Sequence, residues 1–174
     1  MMKLVAALGV VVSSVLAVTA AQSVAERSAG SSASFKAFLT EFEKATTGFV
    51  NGDATLWKQN ASRGDDVTLM GGWGTYEKGW AKVGARYDWA AARFVPSAAA
   101  VTVEYVSVGA SDDLGYTVTI ERSVAQVEGQ AAAAPMALRV TQLFRREEGQ
   151  WRLIHRHADP LLGTTSAESV LQKK

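Results

Sequence analysis

The chain has 174 residues, 48% of them hydrophobic, with 18 Lys and Arg against 17 Asp and Glu and no cysteine. A cysteine-free chain is no disulfide scaffold, and a chain with no basic run beyond Arg145-Arg146 and Lys173-Lys174 lacks the concentrated charge of a nucleic-acid binder. Without its apolar leader, about 150 residues remain, which suits one domain with a core of its own.

The leader comes first. Met1-Met2-Lys3 is a short positive start, Leu4 to Val18 is mostly apolar, and small residues follow at Ala21 to Ala25. This is a secretory signal pattern over residues 1–25, with cleavage near Ala21 to Ala25 and a periplasmic or secreted product. The apolar run is short for a membrane span, so no membrane association is expected after cleavage. An uncleaved N-terminal anchor is the alternative. Glu26 to Ser34 is small and polar and reads as a flexible lead-in.

From Ser34 the pattern becomes helical. Phe35, Phe38, Leu39, Phe42, Ala45 and Phe49 share one face, Ser34 is positioned to cap the start, and Asn51-Gly52-Asp53 stops the helix and opens a short second one through Leu56 and Trp57. Val67 to Met70 is a short strand, and Gly71-Gly72-Trp73-Gly74 is a glycine-rich link. Thr75 then caps a predicted third helix, with Tyr76, Trp80, Val83, Tyr87, Ala91 and Phe94 forming an aromatic stripe that Pro96 ends.

Beyond Pro96 the period switches to two. Strands are predicted at Val101–Val108, Leu114–Val127, Leu138–Arg146 and Trp151–Pro160, with an alanine-rich loop over 129–135 and a polar turn at Glu147-Glu148-Gly149-Gln150. Residues 161–174 read as a tail with one helical turn. The fold class is α+β: about three N-terminal helices packed on a curved, mostly antiparallel sheet, in the order helix-helix-strand-helix-four strands, enclosing a cone-shaped hollow.

The element order, Phe49-Val50-Asn51-Gly52-Asp53, Asp65-Asp66-Val67-Thr68, Arg139-x-Thr141, and Arg145-Arg146-x-x-Gly149-x-Trp151-x-x-x-His155-x-His157 resemble the nuclear transport factor 2-like superfamily, in its SnoaL-like, ketosteroid isomerase-like branch. The closing hairpin is similar to the association domain of calcium/calmodulin-dependent protein kinase II. The likeness covers 35–160. It implies a cone fold, a polar pocket, and a homodimer. It does not imply one reaction, because the superfamily holds both enzymes and binding domains. In the kinase domain an arginine follows the second histidine of the His-x-His motif; here Ala158 stands there. Arg122 and Arg139 lie on the strands that correspond.

Candidate site residues follow from these patterns. The wall of the pocket is drawn from Trp57, Trp73, Tyr76, Trp80, Tyr87 and Tyr116, each of which could equally fill the core. Arg122, Arg139, His155 and His157 are the polar candidates; strand parity places Arg122 with Tyr116 and Ile120 on the pocket side. The arginines could instead pair across strands with Glu104, Glu121 or Glu147. Trp151 is expected on the outer sheet face.

Acid–base chemistry needs a carboxylate base and a hydrogen-bond donor at one substrate group. Asp66 or His155 is the candidate base, with Asp159 a further carboxylate, and a tyrosine is the donor. His155, His157 and Asp159 share a strand face, but the chain has only two histidines, so no metal is expected. Gly71-Gly72-Trp73-Gly74 lacks a following Lys-Ser/Thr, so it is no phosphate loop, and no cofactor is expected.

Three readings follow: an exported domain binding a small, partly apolar ligand, with or without an anionic group; a small acid–base enzyme of the same fold; and a structural homo-oligomerisation module. One β-bulge in the last strand would exchange the roles of His155 and Arg156.

Overall fold

The computed structural model describes residues 9–171. Residues 1–8, where the expected signal peptide begins, and residues 172–174 of the expected tail lie outside the described residues. Helix α1 (Gly9–Phe49) carries through residues 26–34, the expected lead-in, with no break. Alanine and serine permit a helix there, and tertiary hydrogen bonds hold it: Ser31 Oγ donates to Asp112 at 2.9 Å. Ser34 is therefore no cap. Its hydroxyl donates to the Ser31 carbonyl and accepts from Arg146 and Trp151.

α1 ends where Gly52 takes a φ of 91°, the left-handed stop that glycine adopts without penalty. α2 (Thr55–Gln59) follows with Ala54 at its N-cap, and Asp53 holds the turn before it, its carboxylate accepting the Thr55 N–H at 2.8 Å. The next segment departs from expectation. β1 (Thr68–Gly71) and β2 (Gly74–Lys78) form an antiparallel hairpin, so Thr75 and Tyr76 belong to a strand and not to a helix. Two positive-φ glycines decide this: Gly74 (79°) turns the hairpin and Gly79 (82°) separates it from α3 (Trp80–Ala91). Phe94 lies beyond α3, in the two-residue strand β3 (Phe94–Val95).

The remaining strands are β4 (Thr102–Ala110), β5 (Leu114–Val127), β6 (Ala134–Glu147) and β7 (Gln150–Pro160). β6 starts inside the expected alanine-rich loop, where Ala134 and Pro135 pair with Ala125 and Val124. The β6–β7 turn places Glu148 and Gly149 at positive φ, as a tight hairpin requires. A 3-10 turn at Ala167–Val170 is the one helical turn of the tail among the described residues.

The strands form one seven-stranded sheet in the order β2-β1-β7-β6-β5-β3, with β4 sharing the far edge of β5. All pairings are antiparallel except β1 with β7. The helices cover one face. Phe35, Leu39, Phe42 and Ala45 of α1 pack with Trp57, Val83, Tyr87, Phe144, Trp151 and Leu153 in the main core. Trp151 is therefore inside, its ring 4.9 Å from Phe35, and not on the outer face. A smaller cluster of Val50, Phe94, Ala99 and Ala125 closes the other end. Among the described residues, no helix is long and apolar enough to cross a membrane.

Two features set which side chains face the helices. First, β5 is inverted relative to its hydrophobic pattern. Thr117, Thr119, Glu121, Ser123 and Ala125 are buried on the helix side, while Leu114, Tyr116 and Val124 are exposed on the outer side. Second, β7 carries a bulge: Leu143 pairs with His155 but Phe144 pairs with Leu153, so Ile154 is an extra residue. Leu153 is inside; past the bulge, Arg156 and Ala158 are inside and His155 and His157 are outside.

Candidate functional site

Between α1, α3 and the inner sheet face lies a cavity of about 520 Å³, within the range of small-molecule sites. The last turns of α1 give Phe49 and Val50, α2 gives Trp57, and α3 gives Arg86, Tyr87 and Ala90. The β1–β2 turn contributes Trp73, and β5, β6 and β7 supply Glu121, Ser123, Leu138, Arg156 and Ala158. Leu161 and Leu162, just after β7, complete the wall.

Its one buried ion pair is Glu121 with Arg156. The Arg156 guanidinium donates two hydrogen bonds, at 2.8 and 2.7 Å, to the two carboxylate oxygens. The pair spans β6, since Glu121 is on β5 and Arg156 on β7. The same guanidinium lies 5.1 Å from the Trp57 ring centroid, a cation–π contact. Bidentate pairing satisfies both charges without water, so the pair adds fixed dipoles to the cavity but no free charge.

Three other polar atoms of the wall are left over. Tyr87 Oη, Ser123 Oγ and Trp57 Nε1 are buried and make no well-formed hydrogen bond, although the Trp57 indole N–H approaches the Tyr87 phenol closely enough to favour its ionised form. Burial outweighs this and pushes the Tyr87 phenol up to about 12, so it is a neutral hydroxyl at physiological pH. All three atoms belong to wall residues but lie beneath the wall, with essentially none of their own surface exposed.

Of the sequence candidates, Trp57, Trp73 and Tyr87 line the cavity. Trp80 does not; it packs against the main core under Arg63, whose guanidinium is 4.5 Å from the ring. Tyr76 is exposed on β2. Tyr116 is on the outer face, its hydroxyl 3.2 Å from Ser107 Oγ. Arg122 pairs with Glu104 at 3.7 Å, and Arg139 pairs with Asp159 at 2.9 Å, both among exposed side chains. The inversion of β5 carries Tyr116 and Arg122 outward.

The bulge does the same for the histidines. His155 Nδ1 lies 2.7 Å from Thr68 Oγ1 on the outer face, and His157 Nε2 lies 4.0 Å from Asp159. Burial, then the neighbouring His157, lowers the His155 pKa. Asp66 is bound by Arg145 at 2.6 Å, and that hydrogen bond holds its carboxyl below the usual range. Neither Asp66 nor His155 lines the cavity. Among the described residues, no three His, Cys, Asp or Glu gather in a metal-binding group.

Sequence reasoning missed Glu121 and Ser123 as wall residues, and reached Arg156 only through the bulge that would exchange it with His155. Polar residues at every second position of β5, from Thr117 to Ser123, were the signal available for the first two.

Helices capping a curved mixed sheet around a cavity define a cone-shaped α+β domain. A family model for the SnoaL-like domain matches residues 36–162, and the chain belongs to that family, within the nuclear transport factor 2-like superfamily. Solved structures agree on the fold. A nuclear transport factor 2-like protein from Salmonella enterica serovar Typhimurium is 15% identical, with 75% of this chain and 90% of that one covered and a TM-score of 0.62. A ketosteroid isomerase-like protein from Erwinia carotovora atroseptica is 16% identical over 75% and 96%, at 0.60. A protein likened to the type II calcium/calmodulin-dependent protein kinase association domain, from Thiobacillus denitrificans, is 22% identical over 75% and 94%, at 0.51. A search of the curated proteins found no match.

Proposed function

We propose that this domain binds a small, largely apolar molecule in the cavity over Tyr87 and Trp57. The observation that carries this reading is the 520 Å³ cavity itself, walled mainly by aromatic and aliphatic side chains. The enzyme reading is the weaker one, because it needs a free carboxylate or imidazole base at the substrate, and His155 lies on the outer face. Both oxygens of Glu121 are held by Arg156, while Asp66 and Asp159 are paired with Arg145 and Arg139.

The test is native mass spectrometry of the mature protein taken from its host's exported fraction, followed by denaturation and identification of what is released. The expected result is a largely apolar molecule. A protein that releases nothing, and that does not bind the neutral dye N-phenyl-1-naphthylamine, would overturn the reading and leave the structural module.

The same reading includes export and pairing. Residues 1–25 carry the signal pattern, and N-terminal sequencing of the mature protein should begin just after one of Ala21 to Ala25. The outer sheet face supports a homodimer: Leu114 (49% exposed), Tyr116 and Val124 (59%) of β5 lie on it, out of the core, and exposed apolar side chains on a sheet face suit a two-fold interface. Light scattering should give twice the mass of one chain, falling to one mass for Tyr116→Glu. A monomeric wild-type protein would remove the dimer.

A further inference from the structure

The rim of the cavity carries a charge that its interior lacks. Arg86 lines the cavity from α3. Its guanidinium sits 3.8 Å from the Trp89 ring centroid, and Trp89 in turn meets Trp73 of the rim edge-on, centroids 6.0 Å apart. A second guanidinium, Arg93, lies 4.2 Å from the same ring, but Glu128 engages it at 2.9 Å. Among the described residues, no carboxylate lies within 4.0 Å of Arg86 and it donates no side-chain hydrogen bond. Stacking on Trp89 fixes the plane of Arg86 and leaves its N–H edges free, so little ordering is needed to engage an anion.

Resting on the ligand-binding reading above, we propose that Arg86 is a specificity-determining residue: it selects an apolar ligand bearing a single anionic group, a carboxylate or sulfonate, held at the rim. The interior cannot take that charge. Its cation, Arg156, is held by Glu121, and its other polar groups are neutral hydroxyls and an indole buried beneath the wall. The ligand therefore lies with its charge outward on Arg86 and its body inward toward Tyr87. Trp89 is a positioning residue, since it acts through Arg86.

A matched pair of dyes tests this. N-phenyl-1-naphthylamine is neutral, and 1-anilinonaphthalene-8-sulfonate has the same ring skeleton with one sulfonate. Fluorescence titration of the mature protein should show the sulfonate binding roughly tenfold more tightly, the scale of a charged hydrogen bond. Arg86→Gln should abolish that preference, bringing the ratio of the two affinities to about one, with an unchanged circular dichroism spectrum showing that the variant is folded. Trp89→Leu should reduce the preference, and Arg93→Gln should keep it. Equal binding of the two dyes by the wild-type protein, or a preference that survives Arg86→Gln, overturns the assignment of Arg86 and leaves the cavity reading standing. Binding of neither dye overturns the cavity reading and this assignment with it.

Discussion

Glu121 on β5 and Arg156 on β7 are joined by two hydrogen bonds across the intervening strand, with only 6% and 9% of their surfaces exposed. Removing one partner strands a buried charge, whereas replacing both with apolar residues does not. Arg156→Met alone is expected to lose about 3–5 kcal/mol of stability. Combining it with Glu121→Leu should recover most of that loss. Urea denaturation of the two variants decides the point; equal losses would mean that the pair is not coupled.

The hydroxyl of Tyr87 makes no well-formed hydrogen bond within the protein; the Trp57 indole N–H approaches it. Tyr87→Phe should therefore change stability by no more than about 1 kcal/mol, read as a nearly unchanged thermal midpoint. A clear drop in the midpoint would show that the hydroxyl serves the fold.

The cone fold was legible in the sequence because its main signals are local: the face of α1 from Phe35 to Phe49, the Gly52 stop, and the long alternation of β5. The site was only half legible. Helical candidates such as Trp57 and Tyr87 came through, because burial follows helical spacing on a helix that covers a core. Strand candidates did not. Alternation on β5 gives two residue sets but not which is inside, and an apolar outer face reverses the usual inference. On β7 the same ambiguity was compounded by the bulge at Ile154, which leaves no mark in residue type.

Gly115 on β5 lies under the Phe35 ring, where an added methyl group would come within 2.7 Å of ring carbons. Gly115→Ala therefore forces the buried Phe35 ring, or α1 with it, to shift and should cost about 1–3 kcal/mol, read as a lower thermal midpoint. An unchanged midpoint would show that the ring yields freely at this contact.

His155 gives a pH signature. Burial lowers its pKa in the folded state, so below about 6.5, the value for an unperturbed imidazole, the unfolded chain takes up the proton more readily. Stability is then complete above pH 6.5 and falls as the pH drops toward the lowered folded value. Urea midpoints from pH 8 to pH 5 should decline less steeply in His155→Gln than in the wild-type protein. Parallel curves would mean that His155 titrates alike folded and unfolded.

The extra residue at Ile154 makes the chemistry of the cavity depend on a backbone irregularity and not on composition. Were β7 to run on from Leu153 in regular alternation, with Ile154 paired in the ladder, an imidazole would point inward where a permanent guanidinium now stands, and Glu121 would face a titratable partner. The same residues without the bulge would make a domain whose interior changes charge within the physiological pH range.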